Sequence, residues 1–514
     1  MKSFLKSISV LFILTMISSC MPMTSSLGVT TATDFSDAPS NDKIDDGDSN
    51  EDGQSAITYT IVDTGQDQCF DDAQEIACPS GGDTYFGQDA QYSGNTPSYR
   101  DNGDGTVTDL NTGLMWIQDA DEKVSYYDGI QSADGFEFAG YDDWRVPTIK
   151  ELYSLIDFSG IDDAESGTDP FIDDSVFAFE YGDTDQGDRL IDSQWITSTI
   201  YESAVMNGEE CFFGVNFADG RIKCYPTGGP NLKGYFLRLV RGDAYGENEF
   251  MDNEDGTISD LATGLMWQSA DSGDGMDWPD ALGYCEDLSL AGYDDWRLPN
   301  AKELQSIVDY TRSPDTTASA AISPLFETTS ITNELGQEDF AYYWTSTTHE
   351  GARGGDSAVY ISFGRGMGSM RDHYMDVHGA GSQRSDPKTG DIDDFPYTMG
   401  PQGDVRRLEN YVRCVRGGVS AEIITGGVVD DEKSNMQHNS GMVSEQPGET
   451  NQPNALPHPD LSSAAAALGI SLDTLRDALG GMSQGPPDLK AAAAVLGISE
   501  QDLVKALGVP KQTN

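Results

Sequence analysis

The stretch "YDDWRVPTIKEL", Tyr141 to Leu152, returns as "YDDWRLPNAKEL", Tyr293 to Leu304. Its charged groups look like a reaction centre used twice, but their spacing reads as a fold signature. Thr148 and Glu151, like Asn300 and Glu303, have capping-box spacing, in which the glutamate closes a helix start. Pro147 and Pro299 keep the chain beside Arg145 and Arg297 extended. Leu152, Leu155 and Ile156 then form a helical apolar stripe, mirrored by Leu304, Ile307 and Val308. Asp142 and Asp143 fit a turn, with one of them paired to Arg145, and Lys150 is expected in solvent.

The surrounding sequence repeats as well. "DNGDGTVTDLNTGLMW" (Asp101 to Trp116) matches "DNEDGTISDLATGLMW" (Asp252 to Trp267), and "LRLVRG" ending at Gly242 matches "VRCVRG" ending at Gly417. "WITST" at Trp195 is set against "WTSTT" at Trp344, so the spacing barely drifts and two copies of one domain are expected. That register pairs Trp116 with Trp267, Trp144 with Trp296 and Trp195 with Trp344, while Trp278 faces Tyr126; we expect these rings in the core rather than as sugar platforms. In each copy a hairpin around the "LNTG" or "LATG" turn precedes a helix capped by Ser125 or Asp277, the signature helix, short glycine-rich strands and a closing strand. Few helices beside many short strands indicate an α+β class.

The chain has 514 residues, too many for one core, and its 37% hydrophobic content supports globular domains. Against 87 acidic side chains stand only 30 basic ones, a formal net charge of -57. Such a surface repels nucleic acid, so no nucleic-acid partner is expected. Lys2 and Lys6 precede an apolar run, Ile8 to Ile17, too short to span a bilayer comfortably. It ends in "ISSC", Ile17 to Cys20, which resembles the lipobox of bacterial lipoproteins. That resemblance implies cleavage after residue 19, lipids such as palmitate on Cys20, and, with Met21 next, an outer-membrane lipoprotein exposed to the periplasm or the cell surface.

Six cysteines remain. Cys285 aligns with Ala133 and Cys414 with Leu239, so the first copy lacks both; Cys211 and Cys224 flank a hairpin where the second copy lacks both. Paired absence predicts Cys285–Cys414 and Cys211–Cys224, leaving Cys69–Cys78 as a local loop. An exported protein suits such bonds. The domain order is then signal peptide 1–19, acidic tether 20–56, first copy 57–242, second copy 249–418, linker 419–459, and a tandem helix-pair repeat 460–509. In that repeat Gly469 and Gly497 stop alanine-rich helices, and Ser471 and Ser499 cap the next ones.

The combination "DGTVTDLNTGLMW", "GYDDWRLP", "KEL", "WTST" and "YVRCVRG" resembles the Lcl C-terminal domain family, over roughly residues 57–418. The resemblance implies a surface binding or adhesion module, and the adhesin that names the family binds sulfated glycans; the acidity here argues against a basic groove for sulfate. "WRLP" before a helix is also similar to the C-type-lectin-like and sulfatase-modifying-factor (formylglycine-generating) folds. Trp144, Arg145, Pro147 and Glu151, with Trp296, Arg297, Pro299 and Glu303, are therefore expected to carry the fold, and no catalytic residue or metal ligand is assigned. Formylglycine-generating enzymes use redox cysteines near the domain end, where only Cys414 stands, so no enzyme is expected. His349, His373 and His378 lie in the second copy without the spacing of a helical metal pair. Acidic loops at Asp48 to Gly53, Asp183 to Asp188, Asp271 to Asp277 and Asp391 to Asp394 allow weak calcium binding at most. Two function classes follow: a lipid-anchored, non-enzymatic module binding an extracellular ligand such as a glycan, or a scaffold for envelope proteins.

Overall fold

The computed structural model describes residues 57–418 except 121, 164–168, 207, 230–233, 372, 393–394, 396–397 and 401, together with residues 493, 496 and 498. The lipobox, the tether and the linker lie outside the described residues, as does the helix-pair repeat apart from those last three. The chain divides into Met1–Val429 and Asp430–Asn514, so both copies belong to one compact unit. Among the described residues no helix is long and apolar enough to cross a membrane.

Each copy begins with an antiparallel meander. Strands Tyr99–Asp101, Thr106–Asp109 and Met115–Ile117 are closed by Val240–Arg241; in the second copy Phe250–Asp252, Thr257–Asp260 and Leu265–Gln268 are closed by Val415–Arg416. Trp116 pairs with Val240 and Trp267 with Val415, which brings the ends of each copy together. Four short α-helices occur among the described residues of 57–418: α1 (Tyr126–Ser132), α2 (Ile149–Tyr153), α3 (Trp278–Glu286) and α4 (Ala301–Ser306). Ser125 and Asp277 cap α1 and α3, while Thr148 with Glu151 and Asn300 with Glu303 form the two capping boxes. The helices after the boxes stop before the apolar stripe does, so Leu155, Ile156 and Val308 reach the core from the chain beyond them. The α+β class is as the sequence implied.

The copies are not separate beads. One antiparallel sheet runs through both, in the order Tyr342–Gly351, Gly354–Ser362, Gln383–Pro387, Arg221–Pro226, Cys211–Asn216, Gln194–Trp195. Three strands come from each copy, in mirrored order, and they meet where Ile222 pairs with Gln383. These two residues hold the same place in their copies: Val215 faces Trp195 and Ile222, and Ile361 faces Tyr343 and Gln383. A pseudo-twofold axis therefore passes through the seam. One hydrophobic core spans it, with Trp116, Trp195 and Ile222 in the same cluster as Trp267, Tyr343 and Ile361.

This register corrects one pairing. Thr197 Oγ1 donates to Phe213 O as Thr345 Oγ1 donates to Val359 O, and Ser198 N donates to Pro147 O as Ser346 N does to Pro299 O. Trp195 is thus the counterpart of Tyr343, and Trp344 that of Ile196, one residue off the sequence match. Two tryptophans in one short motif favoured the wrong register, since a strand slipped by one residue turns every side chain to the opposite face. All seven tryptophans are buried.

The three expected disulfides are present: Cys69–Cys78, Cys211–Cys224 and Cys285–Cys414. The lead-in to the first copy packs largely on the second. Phe70 lies so close to Gly355 that a Cβ there would collide with its ring, and Lys388 Nζ donates to Asp71 O at 2.8 Å.

Candidate functional site

Side chains alternate across a strand. Along Arg221–Pro226, Ile222 and Cys224 enter the shared core, so Arg221, Lys223 and Tyr225 lie on the sheet's opposite face. Across the seam Arg384 stands beside Arg221 on that same face. The result is a charged patch at the pseudo-twofold axis. Arg221 pairs with Asp162 at 2.6 Å, Lys223 with Asp219 at 2.8 Å, and Arg384 with Asp404, which also holds His378 Nε2 at 2.7 Å. Lys123 and Asp188 (2.6 Å) and Arg189 and Asp192 (2.6 Å) complete the rim.

A cavity of about 640 Å³ opens on this patch, lined from one side by Lys123, Arg189, Arg221, Lys223 and Tyr225 and from the other by Arg384, Met399, Gln402 and Asp404. Neither copy alone encloses it. In a chain with nearly three acids per base, this lining holds five cationic side chains against four aspartates, Asp162, Asp192, Asp219 and Asp404.

Electrostatics tie the patch together. Burial would raise Asp219, but Lys223, Arg221 and Arg384 outweigh it and bring the carboxyl down to about 2. For Asp404 burial is likewise outweighed, by Arg384 and His378, and the carboxyl sits well below its ordinary range. Burial lowers Lys223 to about 8 and lowers His378 as well. Three buried guanidinium nitrogens, Arg221 Nε and Arg384 Nε and Nη1, have no hydrogen-bond partner, and neither has Asp219 Oδ1. Buried donors left unpaired are costly, so such a cluster is suited to receive acceptor groups.

The signature residues lie elsewhere and act as latches. Arg145 grips Glu151 and Arg297 grips Glu303 through two bonds each, all at 2.6 Å. Each arginine also donates to the closing strand's end, Gly242 O or Gly417 O. Trp144 Nε1 donates to Phe138 O, and Trp296 Nε1 to Leu290 O. Pro147 and Pro299 lend their carbonyls to Ser198 and Ser346. The aspartate expected to pair with Arg145 instead holds the closing strand: Asp143 binds Arg241 and Asp295 binds Arg416, at 2.6 and 2.7 Å. Arg145 turns away because Glu151 meets its planar fork with two parallel bonds.

Lys150, expected in solvent, is half-buried with its ammonium group bonded to the chain. Its Nζ donates to Gly246 O, Asn248 Oδ1 and Ser306 O. Its counterpart Lys302 donates to Asp63 O and Ser154 O. A partner that exists only after the copies join cannot be read from one copy's pattern.

The histidines do not converge. His349 is buried, stacked on Phe171 and bonded to Asp219 O, and burial pushes it down to about 4; His373 is exposed on its strand. The acidic loops use their carboxylates on local groups. Asp183 accepts from Asp185 N and Gln186 N, Asp271 from Thr329 and Tyr343, and Asp277 from Asp280 N. Among the described residues no group of three or more potential ligands is placed to hold a metal ion; Asp48 to Gly53 and residues 393–394 lie outside them. The seam patch was missed by sequence reading. Its signal was the alternation of basic and apolar residues in "GRIKCY".

Compared with known proteins, residues 105–241 and 256–379 both match the Lcl C-terminal domain. No curated protein and no solved structure matches significantly. The two matched stretches cover half the chain and coincide with the two copies, so the protein belongs to the Lcl C-terminal domain family, a membership that indicates a surface or secreted protein.

Proposed function

We propose that the protein is a non-enzymatic binding module of the bacterial envelope, held to the outer membrane by lipid on Cys20, with its ligand site in the cavity at the seam. The observation that carries this reading is the set of unpaired guanidinium donors beside a cation-rich cavity in an otherwise acidic chain. Its size suits one or two sugar rings or a comparable small polar ligand. A glycan is the class that family membership favours. The ion pairs that line the cavity are committed to one another, which suits recognition by hydrogen bonding rather than proton transfer.

A glycan array probed with the full chain and with a Lys223→Met/Arg384→Met variant tests this, with and without calcium. Selective glycan binding that the variant loses, while its melt and disulfides stay intact, supports the reading. Binding retained by a folded variant moves the site away from the seam. No glycan bound by either protein, with envelope proteins co-purifying, favours the scaffold class.

A further inference from the structure

The two copies differ in what covers them. Residues from Ile57 onward precede the first copy's opening strand at Tyr99, whereas only residues 242–249 join the first copy to the strand Phe250–Asp252. The long lead-in spreads over the second copy. Thr347 Oγ1 donates to Asp89 Oδ2 at 2.5 Å, and Gln66 exchanges two bonds of 2.8 Å with the backbone of Thr348. Tyr92 donates to Glu286 at 2.5 Å and lays its ring 5.5 Å from the Arg297 guanidinium.

The short linker meets the first copy's signature helix through Gly246 and Asn248, which accept from Lys150. Beyond that point the matching surface lies open. Thr199 is the counterpart of Thr347, because each hydroxyl accepts from the N–H that starts the signature helix, Ile149 or Ala301, at 3.0 Å. Arg145 is the counterpart of Arg297, yet its side chain is 35% exposed against 3%. Here lies a groove of about 840 Å³ whose lining includes Arg145, Thr199, Ala244 and Thr311.

We propose that this groove docks an extended segment of a partner protein, one that presents a carboxyl group to Thr199 and, three residues later, an aromatic ring to Arg145. The second copy supplies the template, since Asp89 and Tyr92 make those contacts there from within the chain. Arg145 is held by Glu151 at its edge, but no described ring stacks on its guanidinium face, which is therefore free to take one. A half-buried hydroxyl beside Lys150 and Arg145 attracts an acid. This site is separate from the seam cavity and does not depend on the ligand proposed there.

A labelled synthetic peptide spanning Phe86 to Asn95, titrated into the intact chain, tests the proposal. Saturable binding is expected below about 1 mM, weakened about tenfold by Ala244→Trp in the protein and by Asp89→Ala in the peptide. Ala244 is exposed, so Ala244→Trp fills the groove without entering the core; Thr311→Arg, at another exposed position, serves if that variant melts early. No saturation, or binding that neither groove variant weakens, overturns the proposal; the latter result means the peptide displaces its own counterpart on the second copy. A dimer seen by sedimentation and abolished by Ala244→Trp would overturn it too, by assigning the groove to a second copy of this chain.

Discussion

The Nζ of Lys150 donates to the carbonyl oxygen of Ser306 at 2.6 Å, joining the signature helix of one copy to the end of the same helix in the other. Lys302 answers with Ser154 O at 2.9 Å. The two lysines of one repeated motif thus cross-link the pair about its pseudo-twofold axis. Burial lowers both to about 8, so they still carry charge at neutral pH.

Lys150→Met and Lys302→Met should each destabilise the chain by about 3 kcal/mol, because buried carbonyls lose their donor. The double variant should cost less than the sum, since both act on one seam. Urea denaturation of the three proteins measures this; strictly additive losses would mean that the lysines act independently.

The two arginine–glutamate latches should respond unequally. Arg297 and Glu303 are both buried, so Glu303→Gln leaves an uncompensated charge and should cost about 3 to 5 kcal/mol. Water reaches Arg145, so Glu151→Gln should cost about 1 kcal/mol. Equal losses in denaturant titrations would contradict the difference in burial.

Removing Cys285–Cys414 should cost more than removing Cys211–Cys224. The first closes a separation of 129 residues and the second one of 13. Chain-entropy reasoning gives about 4 to 5 kcal/mol for the long loop and about 3 kcal/mol for the short one. Paired Cys→Ala variants compared under oxidising conditions check the order.

Stability should fall as pH rises from about 4 to about 7. Burial pushes Asp89, Asp376 and Asp386 up to about 7 each, so the folded chain holds protons that the unfolded chain has already released. Their contribution is complete below the unfolded value of about 3.9 and is lost as pH rises through the folded one. Asp219 and Asp404 act oppositely in stronger acid. His349 and His378, which burial holds low, act oppositely up to about pH 6.5, so the three aspartates set the direction by outnumbering the two histidines. Asp89→Asn should make the decline in melting temperature with pH shallower; an unchanged slope would remove Asp89 from the cause.

Much of the fold was legible in the chain itself. Capping boxes, the hairpin turns, the α+β class and the three disulfides are local or self-aligning features, visible because a repeat lets one copy be read against the other. The Trp195 register was not, because a single residue of slip changes little in a short motif and only paired strands reveal which face a side chain takes. Lys150 looked solvated because its acceptors belong to the segment joining the copies and to the other copy. The seam cavity escaped for the same reason: Arg221 and Arg384 are neighbours only where the copies join. The sequence by itself determined each copy's elements, through spacing and turn chemistry that act over a few residues. Only the tertiary structure decided that the copies share one sheet and one core, because pairing between distant strands depends on which surfaces remain to be buried once each copy has formed.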